Sequence, residues 1–189
     1  PDARRADVER AWLAQMRDGD ARGFEAMFRA YVAPLRAFAD SYVHACDDAE
    51  ELVQDVFHAL WQHRFTVEMP HGMGPYLYAA VRNRALNVLR SRAHERSFQE
   101  RLARDQDSRD DSVETPRAES ELTAREFAAA VDQVVAAMPP RCREVFALLR
   151  HRQVRYAEAA VILGISPKTV EVHMSRALAI LRERLASWR

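Results

Sequence analysis

Tyr156-Ala-Glu-Ala-Ala-Val-Ile-Leu-Gly164-Ile-Ser166-Pro-Lys-Thr-Val170 encodes one helix, a corner and the start of a second helix. Ala159 and Ala160 are small, as two closely crossing helices require. Gly164 stands where the first helix must end in a left-handed residue. Ile165 can plug the corner, Ser166 is placed to cap the second helix, and Pro167 suits its first position. Val170, Met174, Ala177, Leu178 and Leu181 then recur at helical spacing and predict a buried face. Lys168, Glu171, His173, Ser175 and Arg176 fall opposite, with Ser166 and Thr169 at the N-terminal end. A plain helical hairpin would explain the glycine. Breaker, plug, cap and proline in register instead predict a helix-turn-helix, whose second helix can enter a major groove N-terminus first. The positive end of that helix and its unpaired N–H groups can also meet phosphate. These seven residues are the first candidate DNA contacts.

Working towards the N-terminus, the apolar pattern stays helical. Val145, Phe146, Leu148 and Leu149 mark one helix. Leu122, Phe127, Val131, Val134, Val135 and Met138 mark another, stopped by Pro139 and Pro140. Between about Phe98 and Glu119 apolar residues thin out, which predicts a flexible linker. Before it, Phe24, Met27, Phe28, Tyr31, Leu35 and Phe38 repeat at three and four, and so do Leu52, Val53, Val56, Phe57, Leu60 and Trp61. Asp47 or Asp48 is expected to cap the second of these helices, with Glu50 and Glu51 favourably near its positive end. Pro70, Gly72, Gly74 and Pro75 break the chain, and a further helix runs from about Pro75 into the Arg90s. Few glycines (five) and few β-branched runs argue against strands. The expected fold class is all-α: two small helical domains joined by a flexible acidic linker.

The net charge of zero hides an uneven distribution. Arg82 to Arg104 holds seven arginines against two glutamates, a net of +5. Asp105 to Glu126 holds eight acids against three arginines, a net of −5. Lys168 is the only lysine, a bias that fits GC-rich coding and carries no function by itself. The helix from Pro75 is crowded by Arg82, Arg84, Arg90, Arg92 and Arg96. Asn83 and Asn87, four apart, share one of its faces. Asparagine amides can bond base edges, and arginines hold phosphates. Tyr76 and Tyr78 could stack on exposed bases, although at least one is expected in the core. On the preceding helix, Glu50, Glu51, Gln54, Asp55 and His58 form a polar flank that is either solvated or a partner surface. Cys46 and Cys142 lie far apart, and His44 with Cys46 makes a poor metal pair, so no disulfide framework, metal or cofactor is expected. No apolar run approaches the ~20 residues of a membrane helix, and no secretory leader pattern opens the sequence at Pro1. The expected location is the cytoplasm. No phosphate loop or nucleophile–base pair suggests an enzyme.

Taken together, the halves resemble the extracytoplasmic-function group of sigma factors of bacterial RNA polymerase. Gly19-Asp20-Ala-Arg-Gly-Phe24-Glu-Ala-Met-Phe28-Arg-Ala-Tyr31 is similar to the first conserved helix of that family. Asp48-Ala-Glu-Glu-Leu-Val-Gln-Asp-Val-Phe57-His-Ala-Leu-Trp61 resembles its polymerase-binding helix. Pro75-Tyr-Leu-Tyr-Ala-Ala-Val-Arg-Asn83-Arg-Ala-Leu-Asn87-Val-Leu-Arg90 resembles its −10-element helix. Pro139-Pro140-Arg-Cys-Arg-Glu-Val-Phe146 and the helix-turn-helix resemble its −35-element domain. The resemblance implies an extension at 1–18, a region 2 domain at 19–97, a linker at 98–120 and a region 4 domain at 121–189. It further implies docking of Glu50, Glu51, Gln54, Asp55 and His58 on the β′ clamp helices of core polymerase, and of region 4 on the β flap. Asn83 falls at the pocket for an unpaired −10 base, with Asn87, Arg82, Arg84, Arg90 and Tyr76 around it. Promoter DNA and, by family habit, an anti-sigma factor are the other expected partners. Glu171 departs from the family, where several members carry a basic residue, and this puts the −35 preference in doubt. Leu122-Thr-Ala-Arg-Glu and Thr169-Val-Glu-Val-His173 also resemble LuxR-type regulators. The alternatives are therefore a regulator of that type acting without polymerase, or a polymerase- or anti-sigma-binding protein without promoter function.

Overall fold

The computed structural model describes the backbone of residues 2–43, 45–103, 122–150 and 154–186, and side chains within 4–43, 45, 47–95, 126–150 and 154–186. Among these residues every regular element is a helix. The first is α1, Asp2–Arg17, where the sequence reading placed no element. Its signal is short: Trp12, Leu13 and Met16 alone supply a tight apolar cluster in a heavily charged segment, and Met16 is fully buried. The chain turns at Gly19, whose φ of +81° suits glycine, and Asp20 Oδ1 accepts from the Arg22 backbone N–H at 2.9 Å.

The expected stripe on α2, Ala21–Val43, is buried as predicted: Met27, Tyr31, Leu35 and Phe38 face inward. They meet α1, the Leu52–Leu60 stripe of α3 (Cys46–Gln62), and Leu77, Tyr78, Val81 and Ala85 of α4 (Met73–Ala103). Phe24, Phe28, Phe57 and Trp61 add edge-to-face and tilted ring pairs between α2 and α3. The one polar group among the larger fully buried side chains of α2 is the Tyr31 hydroxyl. It donates to Glu9 Oε1 at 2.5 Å and accepts from Arg5 Nη2 at 2.9 Å, which ties α1 to α2. Burial, and then the carboxylate of Glu9, push that hydroxyl far above the ordinary phenol range, so it remains a donor.

Three details differ from expectation. Helix α3 begins one residue before Asp47, with Ala45 at the cap position and no side-chain cap. Asp47 and Asp48 lie inside its first turn, where they still favour the positive helix end. Helix α4 runs on to Ala103, into the stretch read as linker, because Gln99, Glu100, Arg101, Leu102 and Ala103 are strong helix formers despite forming no apolar face. Phe127, counted with the apolar face of its helix, is exposed. The rest of the expected linker, together with His44 and the side chains of Cys46, Arg96 and Leu122, lies outside the described residues.

The C-terminal half contains α5 (Leu122–Ala136), α6 (Pro140–Arg150), α7 (Tyr156–Leu163) and α8 (Pro167–Arg184). Met138, Cys142, Phe146 and Ala177 form a small core of their own. A second group, including Val145, Leu148, Ala159, Ile162 and Val170, is continuous with the core of the N-terminal half. Helix α7 rests on α4, and α6 on α2.

The crossing of α1 and α2 sets a sharp steric limit at Gly23. A Cβ there would stand 2.5 Å from the Trp12 carbonyl oxygen and 2.7 Å from Gln15 Cβ. Alanine is the better helix former by about 1 kcal/mol, but a backbone oxygen at that distance cannot yield cheaply. Gly23→Ala should therefore destabilise by about 1–3 kcal/mol, read as a lower Tm, with α1 exchanging its amide hydrogens faster. An unchanged or raised Tm would show that α1 does not pack as described.

Candidate nucleic-acid interface and its acidic neighbour

Helix α4 places the predicted residues on two levels. Asn83 and Asn87 are both exposed. The Asn83 amide makes no hydrogen bond among the described residues, whereas Asn87 Oδ1 accepts from Arg90 Nη1 at 3.0 Å. Tyr76 is half-buried against the core, and Tyr78 is wholly inside it, edge-on to Phe38 at 5.2 Å. Of the two tyrosines, Tyr78 is thus the core residue. Its hydroxyl is buried without a hydrogen-bond partner among the described residues, and burial pushes its pKa up to about 12.

The arginines flanking this stripe are each engaged. Arg84 Nη1 donates to Asp55 Oδ2 at 2.7 Å, and Arg92 donates to Asp48 Oδ2. Arg82 donates from Nε at 3.1 Å and from Nη2 at 3.0 Å to Glu144 Oε1, on α6. The first two pairs are substantially exposed, so each contributes only about 0–1 kcal/mol and is readily exchanged for a phosphate. The basic helix therefore draws its counter-charges from α3 and α6. Sequence reading missed Glu144 because nothing in helical periodicity distinguishes it from a solvated acid.

Helix α3 presents Glu50, Glu51, Gln54, Asp55 and His58 to solvent on one flank. Glu50 accepts from Gln54 at 3.3 Å and from Arg36 at 3.4 Å, and His58 lies 3.3 Å from Gln62. Beside them Phe24, Phe28, Phe57 and Trp61 line an apolar groove whose rim includes Gln54 and His58. The fold thus sets an acidic surface with an apolar margin next to the asparagine stripe, and Asp55–Arg84 bridges the two.

In the C-terminal half the corner forms as its residues predict. Gly164 is left-handed (φ 64°, ψ 38°), and Ser166 caps α8 by accepting from the Thr169 backbone N–H at 3.1 Å. Ala159, Ala160, Val170 and Ala177 are buried. At the start of α7, Glu158 Oε2 accepts from the Arg155 backbone N–H at 2.7 Å. Ser166, Lys168, Glu171, Ser175 and Arg176 are exposed, and Lys168 Nζ donates to Glu171 Oε2 at 3.0 Å. Thr169 is half-buried, its hydroxyl 2.8 Å from that of Ser166. His173 is also half-buried: its Nδ1 lies 3.6 Å from Cys142 Sγ, so the ring leans onto α6 rather than standing wholly outward. No group of three or more metal-ligating side chains occurs among the described residues.

Residues 27–95 match the family model for sigma-70 region 2, and residues 128–181 match that for sigma-70 region 4. The RNA polymerase sigma factor NccH of Alcaligenes xylosoxydans xylosoxydans is 28% identical over 95% of this chain and 96% of its own length. Two of the solved structures that share the fold are complexes. One is CnrH in complex with the cytosolic domain of CnrY (24% identity, TM-score 0.69, 96% of this chain and 99% of that one). The other is the sigma factor RpoE in complex with the anti-sigma factor NepR from Bartonella quintana (26% identity, TM-score 0.64, 88% of this chain and 98% of that one). The chain belongs to the sigma-70 family of RNA polymerase sigma factors, in its extracytoplasmic-function group. Sigma factors are transcription initiation factors and not themselves enzymes. The LuxR-type alternative is not favoured, since it offers no counterpart to the region 2 match.

Ser166 gives the corner a direct test. Ser166→Ala removes an acceptor from an otherwise unpaired N–H and should cost about 1 kcal/mol, while Ser166→Asp should restore most of it. Equal Tm values for wild type and Ser166→Ala would show that this cap does not stabilise α8.

Proposed function

We propose that this sigma factor directs core RNA polymerase to its promoters by reading a −10 element with α4 and a −35 element with α8, and by capturing an unpaired −10 base at Asn83. The observation that carries this reading is the exposed, unengaged amide of Asn83. It stands beside Asn87 and among Arg82, Arg84 and Arg90, on a helix packed directly against the acidic flank of α3. An amide offers a donor and an acceptor to a base edge, and the arginines supply phosphate contacts. Opening the strands costs stacking and pairing, part of which is recovered when a splayed base enters a protein site. Tyr76 borders the site.

In this reading the domains span 19–97 and 121–189; α1 packs onto the first of them, and the linker at 98–120 begins within the last turns of α4. Glu50, Glu51, Gln54, Asp55 and His58 dock on the β′ clamp helices, and region 4 meets the β flap. Ser166, Lys168, Thr169, Glu171, Ser175 and Arg176 face the −35 duplex. His173 contributes from its margin, given its lean towards Cys142. Glu171 can accept from a cytosine amine but repels phosphate, so the Lys168–Glu171 pair limits the net charge this surface offers. An anti-sigma factor is a natural further partner, because RpoE is solved with one. No helix among the described residues is long and apolar enough to cross a membrane, which accords with work on the chromosome in the cytoplasm.

Run-off transcription with core polymerase and selected promoter fragments tests the whole. Promoter-specific initiation is expected, and its absence would overturn the proposal. Asn83→Ala should reduce open-complex formation on a matched promoter by about tenfold, as loss of one good base contact does, while core binding stays intact. Unchanged open-complex formation would refute the Asn83 assignment. Charge reversal at Glu51 and Asp55 should weaken core binding, measured by competition against the wild-type chain. Undiminished affinity would remove α3 as the docking surface.

A further inference from the structure

Helix α8 buries one side and exposes the other in a regular order. Val170 and Ala177 are buried, and Met174 and Leu181 are half-buried beside them. An α-helix turns about 100° per residue, so Val172 lies about 200° from Val170, at the centre of the opposite face. It is 56% exposed, and among the described residues it is the one large apolar side chain of α8 left to solvent. Lys168, Ser175 and Arg176, at the spacings that make side-chain neighbours on a helix, surround it and are themselves exposed. The next residue, His173, leans away, its Nδ1 lying 3.6 Å from Cys142 Sγ on α6.

Neither packing nor helix propensity accounts for a valine at this place. Its side chain belongs to neither apolar core, and a β-branched residue is a poorer helix former than the lysine, arginine or glutamate around it. A single exposed apolar residue on a plain surface calls for no explanation. Val172 stands instead in the second turn of α8, the helix whose N-terminal turns face a duplex in the proposed promoter reading. What it offers there is a pair of methyl groups and no hydrogen-bonding atom. In the major groove only thymine presents a matching group, its C5 methyl, whereas the other three bases present acceptors or amines. Valine methyls pressed on those polar atoms would take them from water and return no hydrogen bond, at a cost in free energy.

We infer that Val172 is a specificity-determining residue, which selects a thymine in the −35 duplex through the C5 methyl group of that base. The inference rests on the assignment of α8 as the −35 reader. It divides the outer face by chemistry: Val172 at the centre takes a methyl group, and Glu171 beside it takes a cytosine amine. Lys168, Ser175 and Arg176 can hold phosphates or polar base edges around the valine. Charge and hydrogen-bonding capacity give no sign of Val172, because its selectivity comes from having neither.

The test uses holoenzyme reconstituted from the full chain and core polymerase, with a promoter pool randomised across the −35 segment. Selection by the wild type should enrich thymine at one position, on one strand or the other. Val172→Ala should lose that preference and keep the rest. Alanine is the better helix former and the site is exposed, so the variant keeps its fold. On the selected promoter, deoxyuridine in place of that thymidine removes the methyl group alone. It should weaken wild-type binding about fourfold, the worth of one buried methyl-sized group. With Val172→Ala the same replacement should leave affinity unchanged. The inference is overturned if no thymine is enriched, if deoxyuridine costs nothing at every thymine of the segment, or if its cost is equal in wild type and Val172→Ala. Scrambling the whole −35 segment distinguishes these results from failure of the −35 assignment. Binding that survives scrambling removes α8 as the −35 reader, and Val172 with it. Binding that needs the segment but ignores every thymine methyl overturns Val172 alone.

Discussion

Burial of the α2 stripe is the constraint on which the N-terminal half depends. Met27, Tyr31, Leu35 and Phe38 are buried, and α2 packs against α1, α3 and α4 at once. With α2 as the common floor, α3 and α4 lie side by side. That adjacency is what brings an acidic flank and an asparagine–arginine stripe within reach of one bridge, Asp55–Arg84. Tyr31 shows how closely the arrangement is specified. A buried phenol must find partners for its hydroxyl, and those partners, Glu9 and Arg5, come from a helix whose own apolar content would scarcely hold it in place.

The electrical neutrality of the chain acquires a structural meaning from these contacts. In sequence the arginine-rich block is followed by an acidic block, which invites the idea that neighbours along the chain neutralise one another. Within the described residues the arginines of α4 find Asp48, Asp55 and Glu144 instead. These acids belong to surfaces with other prospective partners. Neutralisation is therefore conditional: whatever engages an acid on α3 or moves α6 changes the potential along α4, without any change in composition.

Much of this was legible in the amino-acid order. Periodic stripes gave α2, α3 and the body of α4, and the corner residues gave the geometry around Gly164, because in each case the signal is local and repeated. What escaped was of three kinds. Helix α1 carries too few apolar residues to betray its face, and Gly23, the mark of its close approach, reads as an ordinary glycine. The start of α3 was misplaced because a first-turn aspartate and a capping aspartate look alike until the backbone is seen, and the end of α4 because strong helix formers without an apolar face read as linker. Glu144 and Tyr42 meet across about a hundred residues of chain, and no window of sequence holds both. The order of segments carried the family, whereas the pairing of charges belongs to the folded chain alone.

The corner between α7 and α8 divides its labour unusually cleanly. Ala159, Ala160, Gly164 and Pro167 set the angle, while Lys168, Glu171, Ser175 and Arg176 face outward and set nothing but chemistry. Descendants of this chain can exchange the second group freely, because the scaffold that aims it does not depend on it. In the proposed promoter reading, new specificities arise by single substitutions, with no passage through an unfolded intermediate genotype. Ser166 belongs to both groups, since it caps α8 and stands exposed beside the outward residues, so a substitution there must keep a capping oxygen.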